Sequence, residues 1–497
     1  MSTKSEIIFN IAGKRGFFFP TAEIYGSVAG FWTYGHLGSI IKHKWENLWR
    51  QYFLKLDDNY YEIQGSSILP AKVLQSSGHV INFNDPVLEC KKCENKLRAD
   101  QYIEEKLGTN VEGLNSESLS KVIKDNKIKC PKCEGDFKDV TLFNMMFNLK
   151  VGVTGDNVAY LSPETAQNPY LSFKREFLAL RERLPMGLAM IGKAYRNEIS
   201  PRQGFFRMRE FTQAELQIFF DPDKINECEN WNKVKNYKLL ILEKDKVKEI
   251  SCDELNSKLK VPKFYAYHLA MVQKFYLDTL NIPKKLFRFR VLNEKERAFY
   301  NKIHYDIELD LDTIGGFKEV GGVHYRTDHD LKGHQNSGEK LDVFIDNKRF
   351  VPHVLELSFG VDRNLWSLFD LFFRHGKERD TFTFPNTLVP VQVAIFPLVN
   401  KQGLPKLARD IYDELKNEFE VFYDDKGSIG KMYRRMDEIG CPYMVTVDHE
   451  SLKNKDVTIR NRDDMKQRRV KIKELNSILS NLLCGNIKFD KVGKAVK

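Results

Sequence analysis

Apolar positions change their period several times along this chain. In "HKWENLWRQYFLKL", residues 43–56, they recur every three to four residues, which predicts a helix with one buried face. The stretches "YYEIQGSSILP" and "SGHVINF" that follow read as short strands. Between residues 141 and 220 the period falls to two. In "GLAMIGKAYRNEI" and "FRMREFTQAELQIFF" charged and apolar side chains alternate, so each strand can turn one face to a site and the other to a core. Two polar, lysine-rich stretches, residues 86–140 and 222–305, read as insertions into this pattern. The sheet pattern resumes at "DIELDL", and a strand meets a helix at "SFGVDR". Beyond "RDTFTFPNTLVP", apolar strands ("VQVAIFPLV", "FEVFYDD", "YMVTVD") alternate with helical segments ("KLARDIYDELKNEF", "GKMYRRMDEIG"), the pattern of βαβ units. The expected organisation is a first domain over residues 1–387, interrupted by the two insertions, and a separate α/β module over residues 388–497.

With 497 residues the chain is too long for one hydrophobic core. No apolar run approaches the roughly 20 residues a membrane-spanning helix needs, and "MSTKSEIIFN" lacks the features of a secretory signal. A cytoplasmic protein with no membrane span is expected. The formal charge of +10 is compatible with a polyanionic partner, and equally with a solvated lysine-rich surface. Four of the eight cysteines form two hooks, Cys90-x-x-Cys93 and Cys130-x-x-Cys133. Four thiolates from two tight turns suit a tetrahedral zinc ion and leave no open coordination position, so the expected role is structural; unliganded thiols are the alternative.

The segment "AYRNEISPRQGFFRMREFTQAE", residues 194–215, sets Arg196, Arg202, Arg207 and Arg209 beside Glu198, Glu210 and Glu215. A charged hairpin can be nothing more than a ladder of cross-strand ion pairs. Here Pro201 and Gly204 mark a loop between two charged runs, and Phe205, Phe206 and Phe211 supply flat apolar surface suited to a stacked base. Arginine's planar fork suits phosphate. Neither G-x-x-x-x-G-K-[ST] nor G-x-G-x-x-G occurs, so a nucleotide here would be held by arginines on an antiparallel sheet. Three further constellations accompany it. "LSPETAQNPYLSF" carries Glu164. "HVLELSFGVDR" carries Glu356, Ser358 and Arg363, with Gly360 allowing close backbone approach. "GGFKEVGGVHYRTDHDL" reads as a loop.

Those residues carry a resemblance. "AYRNEISPRQGFFRMREF" looks like motif 2 of the class II aminoacyl-tRNA synthetases, and "LELSFGVDR" looks like their motif 3. Together with "RGFFFPTAEIYGSVAGFWTYGHLG", "SGHVINFNDP", "PETAQ", "YDDKGSIGKMYRRMDEIGCPYMVTVD" and "VTIRNRDDMKQ", they resemble the homodimeric glycyl-tRNA synthetases from about residue 13 to about residue 470. The resemblance implies an α+β fold: a class II catalytic domain, an antiparallel sheet flanked by helices, followed by a C-terminal α/β anticodon-binding domain. It implies ATP-dependent attachment of glycine to tRNA(Gly) through glycyl-adenylate, with Mg2+ on the phosphates. It also implies a homodimer built around the segment near Pro70.

Carried over position by position, Arg196 grips the α-phosphate and Arg363 the γ-phosphate, while Glu198 and the Phe206–Phe211 segment hold adenine. The implied ATP set is then Arg196, Asn197, Glu198, Phe206, Arg207, Met208, Arg209, Glu210, Phe211, Glu319, Val320, Gly360, Val361, Asp362 and Arg363. Glu164, Glu215 and Glu356 surround the glycine ammonium with Ser358 nearby. Arg98, Phe211, Thr212, Gln213, Ala214, Leu357, Phe359 and Gly360 complete the implied glycine set. Lys431, Arg434 and Arg435 become candidate RNA contacts. The chain departs from the family pattern at Ser162 and Asn168, where arginine and glycine are usual, at His36, and around Phe317 and Glu319. Two other readings stay open: a synthetase for another small amino acid, and a catalytically silent relative that binds nucleic acid.

Overall fold

The computed structural model describes residues 3–496 apart from 110, 112, 200, 202, 203, 295 and 299. Its centre is a nine-stranded sheet. In chain order the strands are β1 (Tyr60–Glu62), β2 (Met186–Tyr195), β3 (Glu210–Phe220), β4 (Lys238–Glu243), β5 (Lys246–Ser251), β6 (Phe287–Val291), β7 (Ile303–Leu311), β8 (Gly316–Thr327) and β9 (His353–Gly360). They lie in the order β5-β4-β6-β7-β8-β9-β3-β2-β1. All neighbours are antiparallel except β4 with β6 and β1 with β2.

Period-two alternation gives β3 and β9 opposite characters on their two faces. Ala214, Leu216 and Ile218 of β3, and Leu355, Leu357 and Phe359 of β9, are buried in the main apolar core. Packed into that same core are α1 (Lys4–Arg15), α2 (His36–Phe53, with Trp45, Trp49 and Phe53), α3 (Lys263–Lys274) and α4 (Val361–Phe372). The other face carries a smaller apolar cluster, with Met186, Leu188, Phe219 and Val354 packed beside Tyr170 and Phe173, and presents polar side chains over the rest.

Three expectations need correcting. "SGHVINF" holds a short helix, His79–Asn82, not a strand. The glycine-rich stretch from residue 315 to 331 is mostly strand β8, not a loop. Its glycines serve close packing between strands: a Cβ on Gly321 would fall 2.4 Å from the Ser358 carbonyl oxygen. Residues 222–305 do not stand apart from the sheet. They contribute β4, β5 and β6 to one side of it and bury α3 in the main core; the polar texture belongs to surfaces such as the exposed edge strand β5.

Residues 86–140 form a small unit of their own. Strands 84–89, 96–98 and 141–144 pair with one another, and helices 99–107 and 116–125 pack over them around Leu88, Ile103, Leu119 and Ile123. The C-terminal region is a six-stranded sheet beginning at Val393, with parallel pairing among strands 393–397, 421–423 and 443–447 and antiparallel strands beyond. It has an apolar core of its own, around Val393, Leu404, Val445 and Ile459, and it also packs against the first domain. Phe396, Met432, Met436, Ile439 and Met444 join the main core, and Arg15 of α1 donates to Glu438 at 2.5 Å. No helix among the described residues is long and apolar enough to cross a membrane.

Candidate active site

The polar face of β3, β8 and β9 supplies the floor of a cavity. On β3 it carries Gln213, Glu215 and Gln217, on β9 Glu356 and Ser358, and on β8 Gly322, His324 and Arg326. The register sets Glu215 opposite Ser358, and Glu356 opposite both Gln217 and His324. The cavity is walled by Glu164, Arg196, Glu198, Phe206, Arg207, Met208, Glu319, Gly360, Asp362 and Arg363.

Arg326 lies at the deep end, 1% exposed. It makes a two-toothed contact with Asp330 (2.9 and 3.0 Å), donates to Glu356 Oε2 at 2.7 Å and lies 3.6 Å from Glu164 Oε1. Its guanidinium is stacked over Tyr300, 4.2 Å from the ring centroid. Glu356 also accepts from Gln217 at 3.0 Å and from His324 at 2.5 Å. Burial works against its charge, but Arg326 and His324 outweigh it and bring its pKa down to about 2. Glu164 accepts from Gln167 at 2.7 Å. Burial opposes its charge too, and His79 and Arg326 hold it well below the ordinary carboxylate range.

Glu215 differs. It accepts only hydroxyl hydrogen bonds, from Thr165 (2.7 Å) and Ser358 (2.8 Å). Burial, then the charges of Glu356 and Glu164, push its pKa up to about 8. Three carboxylates, Asp330, Glu356 and Glu164, therefore converge on one guanidinium, and Glu215 lies beside them without a cation of its own. The compartment is short of positive charge, a deficit that a small ammonium group would fill.

The outer part of the cavity holds three arginines, Arg196, Arg207 and Arg363, interleaved with Glu198, Glu319 and Asp362. Arg196 is stacked on Phe211 and Phe83, 5.2 and 5.3 Å from the ring centroids, and its Nε donates to the Pro163 carbonyl at 3.1 Å. Arg363 is stacked on Phe206 (5.1 Å) and paired with Glu319 (3.1 Å). Arg207 pairs with Glu198 at 2.6 Å. Asp362, at the start of α4, accepts from the Thr212 backbone N–H and the Tyr34 hydroxyl, both at 2.5 Å, and so ties the helix to β3.

Val320 lines the cavity as expected, while several other residues expected in the site lie elsewhere. Ala214, Leu357, Phe359 and Val361 are fully buried in the main core, because alternation along the chain turns them away from the cavity. Asn197 is engaged through its backbone, its N–H donating to the Met145 carbonyl at 2.7 Å. Arg209 buttresses the loops, donating to the carbonyls of Glu198 (2.8 Å) and Ala29 (2.9 Å), and Glu210 pairs with Lys193 at the surface. Arg98 does not reach the cavity. It pairs with Asp85 and Asp100, and Asp85 lies 3.9 Å from Arg207. Arg202 falls outside the described residues.

Tyr300, Gly321, His324 and Arg326 line the cavity and were not expected from sequence. Reading "GGVHYR" as a strand would have put His324 and Arg326 on one face. Of the departures, Ser162 donates to the Glu164 carbonyl at 2.5 Å, and Asn168 donates to the Ser66 carbonyl at 3.0 Å. Both help fix the turn that carries Glu164. In the C-terminal region Arg434 and Arg435 already bond the protein, to the Glu378 carbonyl and to Asp424, while Lys431 is exposed.

In the cysteine unit the four Sγ atoms lie within 4.8 Å of one another, with Cys90 and Cys133 3.5 Å apart and Cys93 and Cys130 3.6 Å apart. The Lys92 backbone N–H points at Cys90 Sγ at 3.4 Å. Four thiols on a tetrahedron of this size fit a zinc ion.

Residues 150–371 match the family described as "tRNA synthetase class II core domain (G, H, P, S and T)", and residues 392–482 match "Anticodon binding domain". The crystal structure of prolyl-tRNA synthetase from Cryptosporidium parvum complexed with halofuginone and AMPPNP shares the fold. Its TM-score is 0.61 over 97% of this chain and 78% of that one, at 14% identity. Fold and matched domains together are those of a class II aminoacyl-tRNA synthetase. Glycine–tRNA ligases from Methanococcus vannielii and Thermococcus gammatolerans are 36% and 38% identical to this chain. The matches cover 94% and 97% of it and 97% and 99% of theirs. The chain belongs to the glycine–tRNA ligase family.

Proposed function

We propose that this protein activates glycine with ATP and transfers it to tRNA(Gly). The observation that carries this is the two-part lining of one cavity: an inner compartment with more carboxylates than cations, and an outer one walled by ring-stacked arginines. Glu164, Glu215 and Glu356 would meet the ammonium of glycine. Arg326, Tyr300 and His324 line the same compartment and would limit the room for a substrate side chain, so selection would be by exclusion. ATP would lie across Phe206 and Phe211 with its α-phosphate on Arg196 and its γ-phosphate on Arg363. Mg2+, held by the phosphates in the region of Glu319, would neutralise further charge there. Arg363 would then exchange its pairing with Glu319 for phosphate.

The test is amino-acid-dependent exchange of labelled pyrophosphate into ATP. Exchange with glycine, and none with alanine, serine, threonine or proline, is expected. Exchange with another of these sinks the glycine assignment, and none with any favours a silent nucleic-acid-binding relative.

The Cys90, Cys93, Cys130 and Cys133 cluster would hold a structural zinc. Its effect on the active site would be indirect, through Arg98, Asp85 and Arg207. Elemental analysis should find about one zinc per chain, and Cys93→Ser should lose it together with hydrogen-exchange protection of residues 86–140. A metal-free wild-type protein with full protection there would refute it. A homodimer fits the exposed apolar residues Ile68 and Val158, which lie on neighbouring strands beside Pro70.

A further inference from the structure

Both oxygens of Glu356 are occupied. Oε2 accepts from Arg326 and Gln217, and Oε1 accepts from His324 Nδ1, which fixes the rotamer of the carboxylate and leaves a lone pair of Oε1 for an incoming cation. His324 is itself held in place. Its ring lies over Gly322, where an added Cβ would come within 2.3 Å of His324 Nε2 and 3.3 Å of His304 Nε2, so the backbone here has no room for a side chain. The His304 ring stands edge-on to it, centroids 4.1 Å apart.

The partners assign the protons. His304 Nε2 lies 3.0 Å from Asp306, and the Asn301 side-chain amide nitrogen lies 3.4 Å from His304 Nδ1. His324 Nδ1 faces a carboxylate, so its proton sits on Nδ1. Burial, then the neighbouring His304, keep the His324 pKa below the ordinary imidazole range. The charged and titratable groups around His324 are His304 and Asp306 from β7, Glu319 and Arg326 from β8, and Glu356 from β9.

We propose that His324 is a positioning residue for glycine: a neutral imidazole that orients Glu356 toward the substrate's ammonium without supplying a competing positive charge. When protonated, it becomes a resident cation paired with Glu356 and takes the place the ammonium would fill. Glycine binding then weakens in acid while ATP binding, at the other end of the cavity, does not. This rests on the glycine-activating function proposed above.

Pyrophosphate exchange tests it with two variants, His324→Asn, which keeps a donor near the Nδ1 position and cannot titrate, and His324→Ala, which keeps neither. At about pH 7.5, His324→Ala should raise the KM for glycine about tenfold, with kcat and the KM for ATP within about twofold of wild type. His324→Asn should hold the KM for glycine within about threefold at that pH and lose most of the rise that wild type shows toward about pH 6. An alanine variant with unchanged KM for glycine overturns the proposal. So does an asparagine variant with the wild-type acid limb, or one in which kcat and the KM for ATP deteriorate in parallel with the KM for glycine, the mark of a purely structural role. Failure of wild type to exchange with glycine overturns the proposal together with the function it rests on; the other outcomes overturn the proposal alone.

Discussion

Arg196→Ala is expected to lower kcat/KM for glycine-dependent pyrophosphate exchange about a thousandfold, the scale lost when a preorganised charge leaves a phosphoryl site. The structure gives this residue three restraints: Phe211 on one side, Phe83 on another, and the Pro163 carbonyl on Nε. Its backbone N–H is paired with the Arg209 carbonyl at 2.9 Å. A guanidinium held at stem and plane loses little freedom when it meets a phosphate, so its interaction is concentrated where charge develops. For the same reason Arg196→Lys should recover little, staying about a hundredfold down, because an ammonium offers neither the planar fork nor the stacking. Kinetics at varied ATP and glycine check both variants. The loss should fall mainly on kcat, with the KM for glycine close to wild type; activity of the alanine variant within tenfold of wild type would remove Arg196 from its role.

The hairpin around Arg196 was legible in the sequence because its chemistry is local. Arg196, Glu198 and Arg207 all lie in the connection between two adjacent antiparallel strands, so the hairpin itself brings them together. Strand alternation divides the implied continuous runs between two faces: in Leu357-Ser358-Phe359 only the middle residue faces the cavity, and Ala214 points into the core between Gln213 and Glu215. Arg326 and His324 were hidden by glycine. Gly321 and Gly322 resemble loop punctuation in one dimension, whereas in the sheet they make room for the Ser358 carbonyl and for two imidazoles. The docking of the C-terminal domain was also illegible. Phe396, Met432 and Met436 have the same pattern as residues buried inside that domain, and only the three-dimensional arrangement shows them joining the main core, with the helix that carries Met432 and Met436 packed against α1.

Arg326→Met should impair both stability and glycine recognition, through different carboxylates. The guanidinium is fully enclosed, and its removal leaves Asp330, Glu356 and Glu164 facing one another without a cation. Breaking a buried ion network from one side destabilises by about 3–5 kcal/mol. The carboxylates can relieve this only by taking up protons. Glu356, whose low pKa depends chiefly on Arg326 and then on His324, should be pulled up toward neutral pH, and a protonated Glu356 no longer attracts ammonium. The sign follows. The stabilisation Glu356 gives wild type is present above the ordinary carboxylate pKa and lost as pH falls toward about 2, whereas in the variant the folded state favours protonated carboxyls and stability falls as pH rises through the neutral range. Adding Asp330→Asn to Arg326→Met removes one of the stranded charges, so chemical unfolding should show part of the stability returning. Glycine-dependent exchange should stay lost in the double variant, because Glu356 and Glu164 still face each other without Arg326. Recovery of exchange along with stability would mean that Arg326 acts only as a structural counter-ion for Asp330, and that Glu356 keeps its charge without it.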